Sequence, residues 1–146
     1  MKKIFTEEVK NVKKIKFRNR SMTDLVIIAD VDLQNKDGDE LYSDARRRGD
    51  FDVDYHYVIH RDGHVEQGRE QMAVGGLYVD PQETSIIVFV DVPNGGEETD
   101  VQKKAVNDLL GCFKIDFRDA DVARVKGEYI PVNYAEYACT SAFTVR

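Results

Sequence analysis

The chain has 146 residues, 42% hydrophobic and 33% charged, a composition suited to one globular domain with its own core. Its net charge of −6 is unevenly spread: residues 1–20 carry eight Lys or Arg against Glu7 and Glu8, and the remainder carry 13 basic and 25 acidic groups. So acidic a body argues against broad nonspecific nucleic-acid binding, which phosphate neutralisation drives, and no apolar run approaches the ~20 residues that span a bilayer.

Residues 1–14 read as a basic N-terminal extension, and residues 15–146 as a single domain. The basic start has no apolar stretch behind it, so no secretory signal is expected. Leu25-Val26-Ile27-Ile28-Ala29 is a continuous apolar run bracketed by Asp24 and Asp30, and its β-branched residues predict a strand buried on both faces. Asn35 to Asp39 forms a turn leading into a helix over 40–48. Leu41, Tyr42 and Ala45 are expected on its buried face, with arginines in the last turn and Gly49 as the stop. Residues 54–60 predict a strand, Asp62-Gly63 the positive φ angles of a tight hairpin turn, and Val65 to Gln67 the return strand. Ser85 to Val92 is a second buried strand closed by Pro93-Asn94-Gly95-Gly96. Thr99 with Gln102 forms a capping-box pattern, and Val101, Ala105, Leu109 and Phe113 recur every four residues beside Val106 and Leu110, predicting a second helix. Asp121 to Val125 reads as a short strand. Cys139 onward fits either a strand or a short helix. The alternation of strands and helices predicts an α/β fold, a central mixed β-sheet flanked by helices on its faces.

Two cysteines, Cys112 and Cys139, make no disulfide framework, and a reducing, cytoplasmic setting is the simpler expectation. His56, His60 and His64 are evenly spaced, which would place His56 and His60 on one strand face, opposite Tyr55. They read as a hydrogen-bonded sheet histidine at His56 and exposed histidines near the turn. Asp116, Asp119 and Asp121 gather three carboxylates and read as a solvated acidic loop rather than a calcium site.

The run Asp54-Tyr55-His56-Tyr57-Val58-Ile59-His60-Arg61-Asp62-Gly63-His64-Val65-Glu66-Gln67-Gly68-Arg69 resembles the central hairpin of the N-acetylmuramoyl-L-alanine amidases, the family of the phage amidases called lysozymes, whose fold the peptidoglycan-recognition proteins share. Phe17-Arg18-Asn19-Arg20 with Thr23-Asp24, then Ala73-Val74-Gly75-Gly76 and Ser85-Ile86, extend the resemblance from about Ile15 to Phe143. It implies a zinc-dependent peptidoglycan hydrolase, in which three protein ligands hold a metal whose bound water is acidified to a pKa of about 7. The resemblance places the first ligand histidine at Ala29, the second within Arg124 to Pro131, and the third ligand at Cys139. The chain has no histidine after His64. Asp30 neighbours Ala29 but points to the other side of the strand. Tyr55 matches the tyrosine beside the metal, Leu77 replaces a histidine after the Val-Gly pair, and Tyr137 replaces a lysine seen in some phage members.

One ligand of three is insufficient for the family's mechanism. The expectation is therefore a non-catalytic amidase-like binding protein, phage descent being part of what the resemblance implies, with no catalytic residue, no bound metal and no cofactor. Tyr55, Leu77, Tyr137 and Cys139 would line the binding cleft, now more apolar than the family's. The partner is a protein or a small ligand, a peptidoglycan fragment among them, with no membrane. Two alternatives remain: an amidase with unorthodox metal ligands, and an inhibitor of a phage or host protein such as an RNA polymerase, since some phage members restrain that enzyme.

Overall fold

Val26, Ile27 and Ile28 sit at the centre of the first strand with no more than 1% of their surface exposed. The computed structural model describes residues 23–50, 52–71, 85–126 and 129–132. Among them the order is β1 (Leu25–Val31), α1 (Gly38–Arg47), β2 (Tyr57–Ile59), β3 (Val65–Gln67), β4 (Ser85–Asp91), α2 (Asp100–Asp116), β5 (Asp121–Val125) and β6 (Tyr129–Val132). The strands form one mixed sheet in the order β3-β2-β4-β1-β5-β6. The inner pairs β2/β4, β4/β1 and β1/β5 are parallel, and the outer pairs β2/β3 and β5/β6 are antiparallel.

The helices cover opposite faces, which explains why the β4 sequence is apolar without alternation. Ile86, Val88 and Val90 join Val26, Ile28, Tyr57 and Ile59 under Ala105, Val106, Leu109, Leu110 and Phe113 of α2. Ile87 and Phe89 face the other way and join Ala29 and Val58 against Leu41 and Ala45 of α1. β1 runs two residues beyond the predicted Ala29, through Asp30 to Val31.

Both helices begin with the reciprocal caps their sequences signal. Asp37 accepts the Glu40 N–H at 2.8 Å and the Glu40 side chain accepts the Asp37 N–H at 3.1 Å. Thr99 and Gln102 do the same for α2. Such a cap stabilises by about 1 kcal/mol. At the end of α1, Gly49 takes φ +92°, and the N–H groups of Gly49 and Asp50 bond to the carbonyls of Arg46 and Ala45. This is a Schellman closure, and it needs the left-handed residue that glycine supplies.

Several expectations are corrected. Tyr42 is 37% exposed and leaves the buried face of α1 to Leu41 and Ala45. Val101, expected on the apolar stripe of α2, is 52% exposed; it stands in the first turn of the helix and lies against Gly63 at the hairpin tip. The strand expected over 54–60 keeps regular pairing only at Tyr57–Ile59. β6 was not anticipated, because Tyr129-Ile130-Pro131-Val132 contains a proline and mimics a loop. That proline is tolerated because β6 is the outermost strand of the sheet. No helix of the described residues is long and apolar enough to cross a membrane. The N-terminal extension lies outside the described residues.

Candidate functional site

Ala29, Tyr55, Val58 and Phe89 pack in one cluster on the α1 face of the sheet. The register explains the arrangement: Ala29 pairs with Phe89 and Phe89 with Val58, so three neighbouring strands each place a side chain in one row. Tyr55 stands over that row with its ring centroid 5.3 Å from that of Phe89, tilted by 47°. Strict alternation would send Tyr55 to the other face from Val58. It does not, because the chain bends at residues 54–56 before regular pairing starts, and the expected opposition of Tyr55 to the histidines is corrected accordingly. Gly68 makes this placement feasible, since a Cβ there would lie 2.6 Å from the Tyr55 ring and 2.5 Å from its carbonyl oxygen.

The floor is closely filled: Ala29 is 6% exposed and Tyr55 4%. Burial pushes the Tyr55 phenol well above its ordinary pKa, and the carboxylates of Glu66 and Asp52 push it in the same direction. The hydroxyl therefore stays protonated at neutral pH. Leu77, Tyr137 and Cys139 lie outside the described residues. Cys112, on α2, is half-buried.

The segment assigned to the second metal-binding histidine holds a charged network in its described part. Val125 is the register partner of Ala29. Next to it, Arg124 donates to Asp30 at 2.7 Å and to Glu98 at 2.7 and 3.2 Å. Burial alone would lower the Arg124 pKa, but the hydrogen bonds to Glu98 and Asp30 outweigh it and the guanidinium is held charged. As anticipated from strand alternation, Asp30 turns away from the Ala29 cluster and serves this ion group.

Beyond the carboxyl ends of β1, β2 and β4, polar side chains tie three loops together. Buried Asp91 accepts the N–H groups of Leu33 at 2.8 Å and Asn35 at 3.0 Å. This holds Gln34 and Asn35 at φ +59° and +57°. Asp32 accepts from Gln34 N at 2.9 Å, Asn94 N at 3.1 Å and Arg61 at 2.9 Å. The Gln34 and Asn94 N–H groups, with Arg61 beside them, keep its carboxyl below the usual range. Gln102, 1% exposed, reaches from α2 to the carbonyls of Asp91 at 2.8 Å and His60 at 3.2 Å. Its cap was legible in the sequence, and its bridging of two strand ends was not.

The histidines need a second correction. His56 is fully buried, and its Nδ1 accepts the Ile87 N–H at 2.9 Å. His60, expected to be exposed, is 4% exposed. The turn after it differs from the two-residue type expected: only Gly63 has positive φ, at +90°. Gly63 N–H bonds to the His60 carbonyl, and His60 N–H to that of His64. This is a three-residue loop, residues 61–63, of the type I-plus-bulge kind. It folds His64 over His60, their rings stacked at 4.2 Å. His60 Nε2 lies 2.8 Å from Glu66 Oε1, and His64 Nδ1 lies 2.6 Å from Asp62 Oδ1. The His64 backbone N–H, then its side chain, hold the Asp62 carboxyl below its ordinary pKa.

The curated endolysin of Escherichia phage T7 is 38% identical over 65 residues, covering 42% of this chain and 43% of its own. The chain thus matches less than half the length of that relative. In three dimensions the chain resembles Manduca sexta Peptidoglycan Recognition Protein-1 with a TM-score of 0.60 at 22% identity, covering 76% of this chain and 70% of that one. It resembles the N-acetylmuramoyl-L-alanine amidase LysC from Clostridium intestinale with a TM-score of 0.63 at 16% identity, covering 88% and 84%.

The chain has the fold that an N-acetylmuramoyl-L-alanine amidase and a peptidoglycan recognition protein share. No protein-family profile matches it. The likeness to the solved structures is one of fold, and the expected α/β amidase-like architecture is the one observed. Within this fold, the cluster on the α1 face holds Ala29, Tyr55, Phe89 and Val125, none of which is an imidazole.

Proposed function

We propose that this amidase-like chain is a non-catalytic binding protein of phage origin whose ligand is a peptidoglycan fragment. The observation that carries the reading is Ala29, a packed methyl in the row of Phe89 and Val58 where the resemblance calls for a zinc ligand. With no histidine after His64, Cys139 is the one position of the three where the residue matches the ligand that the resemblance calls for. A lone thiolate makes no catalytic zinc shell. A fold outlasts the site grafted on it, and an apolar floor with a protonated phenol suits contact better than hydrolysis. The names of the similar solved proteins, a peptidoglycan recognition protein and an amidase, favour a wall-derived ligand.

Calorimetric titration of the chain with a soluble disaccharide-peptide from peptidoglycan tests the proposal. Saturable one-to-one binding, with the ligand recovered intact by mass spectrometry, is expected. No heat of binding at millimolar ligand, or recovery of a cleaved peptide, would overturn it.

A further inference from the structure

At the tip of the β2–β3 hairpin, His60, His64 and Glu66 each bring one metal-ligating atom within 4.8 Å of the others. The backbone builds this group. Gly63, whose positive φ closes the turn, is pressed against Val101 of α2, where a Cβ would stand 2.9 Å from the Val101 Cβ. Gln102 holds the His60 carbonyl from the same helix. Glu66 projects from β3 on the Val58 side of the sheet and reaches His60 Nε2. Its carboxylate occupies the space a side chain would need at position 38, since a Cβ on Gly38 would meet Glu66 Oε1 at 2.4 Å.

The second imidazole is oriented from behind. Asp62 engages His64 Nδ1, which leaves Nε2 as the nitrogen available for a cation. A carboxylate behind a ligating histidine fixes its tautomer and raises its basicity, the arrangement found around protein-bound zinc.

We propose that His60, His64 and Glu66 form a binding site for a first-row divalent cation, zinc foremost, with the fourth position taken by water. Two imidazoles and one carboxylate are a donor set that zinc accepts with one position open. Zinc and its neighbours in the series prefer imidazole, whereas magnesium and calcium prefer all-oxygen sites. The cation takes the place of the proton shared between His60 Nε2 and Glu66. Bonds of 2.0–2.2 Å put tetrahedral ligand atoms about 3.4 Å apart, so a separation of up to 4.8 Å must close by up to about 1.4 Å. The His64 side chain, 27% exposed, and that of Glu66, 34% exposed, have the freedom to do so, while the His60 side chain, 6% exposed, is the fixed ligand.

The site uses none of the residues of the Ala29 cluster and does not rest on the reading of that cluster, although Glu66 is close enough to Tyr55 to act on its phenol. Glu66 stands in the same row as Ala29 but three strand spacings away, about 14 Å. None of its ligands occupies a position where the amidase resemblance places one. It sits beyond the carboxyl end of β2, the side of an open parallel sheet where ligands collect. A bound cation would clasp the hairpin and raise the stability of β2 and β3.

Calorimetric titration of the full, chelator-treated chain with zinc chloride tests the site, alongside His64→Ala and Glu66→Gln, each checked for a native circular-dichroism spectrum. One equivalent of zinc is expected, bound at least 10-fold more weakly by each variant, and Asp62→Asn should weaken it by about 10-fold or more. A rise in melting temperature with zinc should be lost in His64→Ala. Absence of stoichiometric binding, or an affinity the same in both ligand variants as in the parent, would overturn the proposal.

Discussion

Truncating Tyr55 separates packing from chemistry in the cleft. The ring is 4% exposed and lies over Phe89 at 5.3 Å, in a space Gly68 keeps open. Tyr55→Ala removes this contact and leaves a cavity the sheet cannot close, a loss of about 3–5 kcal/mol. In urea, with an m-value near 2 kcal/mol/M, the midpoint should fall by roughly 1.5–2.5 M. The melting temperature should fall by about 6–20 °C for a domain of this size. Tyr55→Phe keeps the ring and removes one polar group, so about 0.5–1.5 kcal/mol is expected if the hydroxyl is paired. Equilibrium urea melts of both variants, with fragment affinity measured in parallel, give the comparison. A cost below about 1 kcal/mol for Tyr55→Ala would show that the ring is not core. Loss of a measurable hydrolysis in Tyr55→Phe at unchanged stability would make the hydroxyl catalytic.

Gln102→Ala should cost about 2–4 kcal/mol in thermal or urea melts, because it removes a helix cap and strips the side-chain donor from the buried Asp91 carbonyl. A cost under 0.5 kcal/mol would refute its bridging role. Ala29→His forces an imidazole into a site that is 6% exposed, so a loss of roughly 1–3 kcal/mol by overpacking is expected. Wall hydrolysis should not appear, and its appearance would reveal an unrecognised ligand. Asp32 has a folded pKa below its unfolded value of about 3.9. Its tethering of the loops is therefore complete above that value and lost as pH falls through the lower folded pKa. Amide-exchange protection at Gln34 and Asn94 should follow that course and be absent at all pH values in Asp32→Ala, which removes the accepting oxygens; protection unchanged in the variant would contradict it.

Where one local signal dominated, the sequence was readable. The unbroken β-branched runs of β1 and β4 follow from helices on both faces, and the Asp37 and Thr99 caps marked both helix starts. Local pattern failed where distant parts of the chain decide. His60 looks exposed beside a turn, yet Gln102 and Glu66, from other elements, enclose it. Tyr55 escapes its strand parity through a bend that no periodicity shows. The resemblance located Ala29 and Tyr55 in one cleft, and both lie in one cluster. The His60, His64 and Glu66 group was half visible in the even histidine spacing. Its third member was hidden because a carboxylate on a return strand has no sequence link to the turn. Leu77, Tyr137 and Cys139 remain part of the proposed cleft by resemblance alone.

Digestion of purified cell wall by the chain, with zinc supplied, tests the central claim most directly. Soluble fragments should not exceed the buffer blank, with or without the metal, while the chain still binds the isolated disaccharide-peptide. Zinc-dependent release of wall fragments, abolished by a chelator and restored by adding the metal back, would contradict the account.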